Sequence, residues 1–250
     1  MIKYENGETY YGYWDKSTLK RSGIGICIWA DGSKYEGEWF NDKANGSGRL
    51  IHSDGDTYVG QWSNDSANGI GEYYHLDGGK YVGSWKNDNQ EGYGVEEWKD
   101  GAKFQGDYLN GKKHGKGLFI WPDQSEYKGE FQNNMLHGFG IYKWNDGRVY
   151  EGEWENNKMN GKGIFTWPDG RKFDGIYKND KKNGIGTFIW STGKKYIGPW
   201  VEGKQHGFGV YYSKKGIKKF GEWNNGKHKR WVEESEFKGL NPTIISNEKC

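Results

Sequence analysis

Aromatic and polar positions alternate along this chain in short runs, and the runs return at a fixed interval. The motif aromatic-x-Gly-x-aromatic begins at nine positions, which are Tyr10, Tyr35, Tyr58, Tyr81, Phe104, Tyr127, Tyr150, Phe173 and Tyr196. The first step is 25 residues long and every later step is 23. Because successive side chains of a strand point to opposite faces, each run predicts a short β-strand with rings and glycine on one face.

A second motif, Gly-x-Gly, keeps the same interval and predicts the other strand of each repeat. Its first copy is Gly23-x-Gly25, and a ring usually stands four residues later, as Trp29 does. An Asp-Gly pair such as Asp31-Gly32 follows and predicts a hairpin turn, because glycine accepts a positive φ. The Asn or His before each Gly-x-Gly, such as Asn45 or His114, is interpreted as a residue of the second turn.

These patterns predict an all-β fold, an elongated single-layer antiparallel β-ribbon of about ten hairpins. Rings on one strand need space over the neighbouring backbone, and the glycines are predicted to provide it. Residues 1–226 are expected to form the repeat array. Residues 227–250 are expected to form a short C-terminal capping tail, with a short helix over 230–238.

The repeat resembles the MORN (membrane occupation and recognition nexus) repeat. Tyr150-Glu-Gly-Glu-Trp154 followed by Asn160-Gly-Lys-Gly163 is close to the consensus, and the resemblance covers residues 4–226. Only the C-terminal copies depart from it, where Lys219 and Ser213 replace expected rings. The resemblance implies an assembly scaffold similar to radial-spoke-head and other cytoskeletal MORN proteins. It also implies a location in the cytoplasm and cytoskeleton, in the axoneme of a cilium or flagellum, and a possible phospholipid ligand.

The composition supports a folded chain in a reducing compartment. Only 33% of residues are hydrophobic and the mean hydropathy is −1.08, but 17% are aromatic and 42 are glycine. Each buried ring removes roughly 150–250 Å² from water, so a few rings per repeat can build a thin core. The only cysteines are Cys27 and Cys250. Neither a secretory leader nor an apolar run of membrane-spanning length is recognised, so we expect a cytosolic protein.

Candidate chemistry is sparse, and we predict neither an enzyme nor a metal or cofactor site. Gly115-Lys-Gly117 lacks the hydroxyl residue of a phosphate loop and recurs inside a β-repeat. His114 and His137 lie one repeat apart, roughly 9.5 Å, so they could share a zinc ion only with help from a second chain. Paired carboxylates such as Glu36/Glu38 are interpreted as a solvated face.

The rings of the second strand are the first candidate binding surface. They could hold a partner helix, an extended peptide or a quaternary ammonium, although they could equally be core alone. The candidate residues are Trp98, Trp121, Trp144, Trp167, Trp190, Phe119, Phe165 and Phe188.

The uneven distribution of charge suggests a second surface. Residues 1–110 carry 11 Lys/Arg and 18 Asp/Glu, a net charge of −7, and the remainder carries 25 and 16, a net charge of +9. The basic half could meet an acidic protein or anionic lipid, could favour head-to-tail homo-oligomers, or could simply be solvated. Nucleic acid is not expected, because Arg is scarce. The candidate basic turns contain Lys112, Lys113, Lys181, Lys182, Lys194, Lys195, Lys214, Lys215, Lys218 and Lys219.

Two functions remain in competition. The leading hypothesis is a non-enzymatic scaffold that binds other proteins of a large cytoskeletal assembly, in an axoneme and similar to a radial-spoke protein. The alternative is a peripheral membrane adaptor that binds anionic phospholipid through its basic C-terminal half.

Overall fold

A computed structural model describes residues 2–240 and shows 22 β-strands followed by one short helix. The chain divides into two compact units. The first unit contains residues up to Pro122 together with Gln132–Asn134, and the second contains Asp123–Phe131 and the residues from Met135 onward. All 22 strands belong to one antiparallel sheet, which confirms the all-β class and the single-layer ribbon of hairpins.

The strands of the first unit pair in the order of the chain, each antiparallel to the next. Their bounds are β1 Ile2–Lys3, β2 Thr9–Trp14, β3 Arg21–Ile28, β4 Lys34–Phe40, β5 Lys43–Ile51, β6 Thr57–Ser63, β7 Ser66–Tyr74, β8 Lys80–Lys86, β9 Asn89–Glu97, β10 Lys103–Leu109 and β11 Lys112–Ile120.

In the second unit, the pairing again follows the chain from β13 onward, with β19 and β20 both pairing with β18. The bounds are β12 Glu126–Gln132 (its last residue is grouped with the first unit), β13 Met135–Lys143, β14 Val149–Glu155, β15 Lys158–Thr166, β16 Lys172–Lys178, β17 Lys181–Ile189, β18 Lys195–Val201, β19 Lys204–Gln205, β20 Gly207–Tyr212, β21 Lys218–Asn224, β22 Lys227–Val232 and α1 Glu234–Leu240.

Two kinds of turn join the strands. The longer turn contains the Asp-Gly pair, and at Asp31-Gly32 the Gly32 amide donates to the carbonyl oxygen of Trp29 at 3.1 Å. The tighter turn has two residues with positive φ, for example Asn41 at 52° and Asp42 at 67°. Two consecutive positive φ values are typical of a type I′ hairpin, whose twist matches that of the strands.

The interpretation of Asn45 and His114 as turn residues is wrong. Both lie inside strands, in β5 and β11, because the tight turn closes several residues earlier in each repeat. The glycine after Asn45, Gly46, instead forms a bulge with a φ of 75°, and the pairing of β4 with β5 shifts between Gly37 and Trp39. A glycine with positive φ is required there because a β-bulge places one residue in the left-handed region.

The core lies on one face of each unit and consists mainly of the rings of the aromatic-x-Gly-x-aromatic motif. Tyr35 and Tyr150 are fully buried, and Trp39 and Trp154 are nearly so. The opposite face remains in contact with solvent, since Tyr11 is 67% exposed and Ile24 is 59% exposed. We call the buried side the ring face, because it carries the rings of both motifs.

The predicted tail forms a strand and a helix. Its first residues belong to β22, and α1 begins at Glu234, later than the start expected at residue 230. Phe237 of this helix is fully buried and its ring lies 4.7 Å from that of Phe220. The domain boundary at residue 226 stays a prediction, and the part of the tail over 241–250 lies outside the described residues.

Candidate functional site

The ring that begins each motif lies over two glycines, one on its own strand and one on the next strand. A Cβ atom on Gly48 would lie 2.3 Å from the hydroxyl oxygen of Tyr35, so no other residue fits beneath this ring. The same hydroxyl donates a hydrogen bond of 3.0 Å to the carbonyl oxygen of Glu38, three residues along its own strand. Burial raises the pKa of this phenol, which therefore remains a neutral donor.

Five of the tryptophans that end the motif connect their hairpin to the preceding one, namely Trp39, Trp62, Trp85, Trp154 and Trp200. The indole Nε1 of Trp39 donates to the carbonyl oxygen of Gly25 at 3.1 Å, and Trp154 donates to Gly140 in the same manner. Trp39 also makes edge-to-face contacts with two tyrosines, Tyr35 at 5.1 Å and Tyr10 at 5.4 Å. Trp39 therefore joins two successive repeats through one hydrogen bond and two ring contacts.

The predicted second-strand rings meet in two groups, one in each unit. In the first unit, Phe119 lies 5.4 Å from Trp98 and 4.5 Å from Trp121. In the second unit, a continuous row of contacts of 4.4–5.8 Å runs through Trp144, Phe165, Trp167, Phe188 and Trp190. We call this the ring row. Its two phenylalanines are buried, whereas its three tryptophans keep part of their surface exposed.

The ten candidate lysines do not form one solvated group. Lys113 and Lys182 lie on the ring face, where their ammonium groups contact aromatic rings. Lys195 is partly buried, with its Nζ atom 4.4 Å from the ring centre of Tyr212. The other seven are exposed, namely Lys112, Lys181, Lys194, Lys214, Lys215, Lys218 and Lys219.

Lys113 and Lys182 occupy the same place in the repeat, one residue per hairpin, which we call the slot position. Arg21 occupies it in the first hairpin, and its guanidinium lies 4.2 Å from the ring centre of Trp39 while donating to Glu8 at 2.7 Å. The full series is Arg21, Ala44, Ala67, Gln90, Lys113, Leu136, Met159, Lys182, Gln205 and His228. Three hairpins thus place a permanent or strongly basic cation among the rings.

The two slot lysines differ in their partners. The ammonium of Lys113 lies 2.9 Å from a carboxylate oxygen of Glu96 and within 5.9 Å of four ring centres. The ammonium of Lys182 has four rings at 4.8–5.2 Å and no ion pair within residues 2–240. Burial, with repulsion from Arg171 as the smaller cause, lowers the pKa of Lys182 to about 8.

Some polar side chains of the opposite face stabilise the bulges. Glu38 accepts the backbone amide hydrogen of Ser47 at 2.9 Å, and Gln61 accepts that of Ile70 at 2.8 Å in the next repeat. The bulge leaves these backbone amides without a partner on the neighbouring strand, and the two side chains accept their hydrogen bonds instead. The interpretation of Glu38 as merely solvated therefore missed a structural role, which its constant place opposite Gly-x-Gly could have indicated.

Residues 2–240 contain neither a cluster of metal-ligating side chains nor a helix of membrane-spanning length. Within residues 2–240, no group of three or more His, Cys, Asp or Glu side chains is arranged to hold a metal ion. His114 and His137 each bury Nδ1 without a hydrogen-bond partner among the protein atoms described. None of the helices in this part of the chain is long and apolar enough to cross a membrane.

The comparison with protein families identifies the repeat. The MORN repeat model matches nine segments, residues 20–34, 35–57, 58–80, 81–103, 104–126, 127–147, 150–170, 173–195 and 196–218. The chain belongs to the MORN-repeat family. MORN repeats are generally structural or interaction repeats, which assigns this MORN protein to the scaffold class. The match concerns the repeat and does not extend to radial-spoke-head proteins in particular.

Solved structures resemble this MORN protein only weakly. The TCP domain of Drosophila melanogaster SAS-4, in complex with a proline-rich motif of Ana2, shares 14% identity and covers 71% of this chain and 94% of its own, with a TM-score of 0.40. The TCP10 domain of Danio rerio CPAP shares 10% identity over 93% of this chain and 98% of its own, with a TM-score of 0.32. No curated protein matches the sequence significantly.

Proposed function

We propose that this MORN protein is a non-enzymatic scaffold of a cytoskeletal assembly and binds partner proteins on its ring face. The observation that carries the proposal is the ring row of the second unit, in which three partly exposed tryptophans alternate with two buried phenylalanines. Aromatic rows with accessible surface are typical of protein-recognition sites.

Cations next to the ring row support an acidic partner segment. The guanidinium of Arg148 lies 5.2 Å from the ring centre of Trp144, and that of Arg171 lies 5.3 Å from that of Trp167. Each guanidinium also pairs with an aspartate of its own turn, so an acidic partner would share or replace that contact. Lys194, four residues after Trp190 in the same turn, is exposed. A segment with apolar side chains flanked by Asp or Glu would match both the rings and these charges. The axonemal, radial-spoke-like location is the finer part of the proposal and rests on the family resemblance.

The proposal is tested by comparing matched variants in native axonemes. Trp167→Ser with Trp190→Ser should remove cross-links between the ring row and its partner, because both indoles contribute exposed contact area. Ile176→Ser is the control, since Ile176 is 39% exposed on the opposite face. Equal cross-linking in the double tryptophan variant and in the Ile176→Ser control would contradict the proposal. A wild-type protein that does not accumulate in the axoneme would also contradict it.

A membrane adaptor is the second candidate, and the exposed lysines of the last repeats favour it. Lys214, Lys215, Lys218 and Lys219 are all exposed, and about 1 kcal/mol per basic residue is typical near an anionic surface. Flotation with phosphatidylserine vesicles at increasing salt separates the candidates. Binding that is lost when these four lysines become glutamine would support the adaptor and would overturn the scaffold as the primary function.

A further inference from the structure

The slot position contains alanine in two hairpins of the first unit, and each alanine leaves a cavity on the ring face. The cavity at Ala44 has a volume of about 260 Å³ and the one at Ala67 about 270 Å³. We call them the Ala44 socket and the Ala67 socket. Both are open to solvent on the ring face.

The walls of the sockets correspond to the surroundings of the slot lysines. Lys182 contacts rings at four repeat positions, occupied by Trp167, Phe173, Phe188 and Trp200. The same four repeat positions line the Ala67 socket, where they hold His52, Tyr58, Tyr73 and Trp85. In the Ala44 socket they hold Trp29, Tyr35, Leu50 and Trp62. Both sockets therefore have walls similar to those of a cation site. No lysine or arginine lines the Ala67 socket, whereas Arg21, which pairs with Glu8 and Asp42, forms part of the wall of the Ala44 socket.

Two of the three slot cations, Arg21 and Lys113, pair with carboxylates, and each socket also contains carboxylates. Asp65 lines the Ala44 socket and accepts the backbone amide of Ala44 at 2.7 Å through Oδ1. Asp88 does the same for Ala67 in the next socket. Within residues 2–240 the second oxygen of each carboxylate makes neither a hydrogen bond nor an ion pair. The slot residue Arg21 uses the equivalent Asp42, which accepts its backbone amide and lies 3.6 Å from its side chain.

We propose that the Ala44 and Ala67 sockets bind lysine or arginine side chains of a partner protein. The chain shows that this scaffold accepts such groups where a carboxylate is present, because Arg21 and Lys113 place their own cations among rings at the same repeat position and each pairs with a carboxylate. The inference goes beyond the proposed function, since it concerns residues of the first unit and a basic partner segment, not the ring row and an acidic one.

Unmodified cations fit the sockets better than quaternary ammonium groups. Aromatic walls attract any cation, but the unpaired oxygens of Asp65 and Asp88 accept hydrogen bonds only from a group that carries N–H. A trimethylated lysine has no such donor. The occupant is therefore assigned to a primary ammonium or a guanidinium.

The experiment uses the methyl groups of alanine as reporters. The chain contains four alanines, Ala30, Ala44, Ala67 and Ala102, so a sample labelled with ¹³C at alanine methyls gives four signals. Titration with Nα-acetyl-lysine methylamide should shift the signals of Ala44 and Ala67 in the millimolar range. The signals of Ala30 and Ala102, which lie outside the sockets, should not move. The neutral norleucine analogue should shift none of the four.

Two variants of equal charge make the result specific. In Ala67→Lys the new side chain should fill its socket as Lys113 and Lys182 do, and the apparent affinity at the Ala44 signal should remain within about twofold. Ser47→Lys adds the same charge on the opposite face and should leave both signals responsive. Loss of the response in Ser47→Lys would show a general effect of charge and would overturn the proposal.

Two further outcomes would also overturn it. No shift at Ala44 or Ala67 with either the lysine or the arginine amide would show that the sockets bind no basic side chain. A response to the trimethyl-lysine amide about tenfold stronger than to lysine, which corresponds to about 1.4 kcal/mol, would assign the sockets to quaternary ammonium groups. Neither outcome affects the ring row, so failure here remains distinguishable from failure of the proposed function.

Discussion

Individual phenols of the ring face differ in how their hydroxyl groups are satisfied. The Tyr150 hydroxyl donates to the carbonyl oxygen of Glu153 at 3.0 Å. The Tyr177 hydroxyl is buried without a hydrogen-bond partner among the described protein atoms. Phe173 shows that the scaffold accepts phenylalanine in the place of Tyr150, because it is fully buried at the equivalent position.

We expect opposite effects when these two hydroxyl groups are removed. Tyr150→Phe should lower the free energy of unfolding by about 1 kcal/mol, because a hydrogen bond is lost. Tyr177→Phe should leave it unchanged or raise it by about 1 kcal/mol, because an unsatisfied buried group is removed. Urea denaturation measures both. A larger loss for Tyr177→Phe than for Tyr150→Phe would contradict the hydrogen-bond assignment.

The buried cation at Lys182 predicts a dependence of stability on pH. Its pKa falls from 10.5 to about 8 in the folded chain. Between these values the unfolded chain binds more protons, so the contribution of Lys182 to the free energy of unfolding rises with pH. Below about pH 8 both states are charged, and the cost of burying the ammonium is complete.

This dependence is measured against an uncharged variant. Lys182→Met should be more stable than the wild type at neutral pH, and Met159 shows that the slot position accepts methionine. The difference should shrink by about 1–2 kcal/mol as the pH rises through 8 to 10, after allowing for solvent screening. Lys181→Met is the control, because Lys181 is exposed and pairs with Glu202. A constant difference for Lys182→Met would exclude a depressed pKa.

The residue scale also shows where sequence analysis was insufficient. The buried tyrosines and tryptophans were predictable from alternation, because a strand has two faces and only one carried rings. The environment of the slot position could not be predicted, because its residues share no chemical character from one hairpin to the next. Their common environment arises only when neighbouring hairpins pack. Alignment of the repeats does show that Arg21, Lys113 and Lys182 recur at one position.

At the scale of the hairpin, close approach of the two strands depends on particular glycines. The Cα atoms of Gly37 and Gly48 are paired across the strands, and Tyr35 crosses both residues. A methyl group added at Gly48 would overlap the phenol, whereas one added at Gly32, in the turn, would meet no atom within 4 Å.

We therefore expect the two glycines to differ in tolerance. Gly48→Ala should lower the free energy of unfolding by at least about 3 kcal/mol, because the Tyr35 ring must leave its place. Gly32→Ala should lose only about 1–2 kcal/mol, the cost of its positive φ of 88°. Thermal unfolding of the two variants gives the comparison. Similar losses would mean that the ring does not restrict the strand.

Hairpin boundaries were the less predictable part of the fold. Asp-Gly pairs marked the longer turn correctly because Gly32 and its equivalents have positive φ. The tight turn was misplaced because Asn45 and Gly46 have the composition of a turn, and a bulge requires the same residue types as a turn. The true turn, Asn41-Asp42, lacks glycine and uses two non-glycine residues with positive φ.

At the scale of the whole chain, each hairpin is held by its sequence neighbours. Repeat proteins of this kind are stabilised by nearest-neighbour contacts. Trp154, for example, contacts Tyr150 at 5.1 Å in its own hairpin and donates to Gly140 in the preceding one. Damage to one repeat should therefore spread first to adjacent repeats.

Hydrogen exchange of Trp154→Ala tests this locality. The substitution should cost about 3–5 kcal/mol, and protection should fall most in β13, β14 and β15 and progressively less in β17 and β18. Glu151→Ala, an exposed residue on the same strand, is the control and should change stability by less than about 0.5 kcal/mol. Uniform loss of protection throughout the second unit would indicate one cooperative block instead.

The slot position has a consequence for how such a protein can acquire new partners. Ala, Gln, Leu, Met, Lys, Arg and His all occupy it, so the surrounding rings accept side chains of very different size and charge. A single substitution there changes the side chain that lies among the rings of one hairpin, and the hydrogen bonds of the tyrosine and tryptophan do not involve that side chain. Successive slots lie about 9.5 Å apart. Within one unit, each slot can therefore be changed without changing the rings that surround its neighbours.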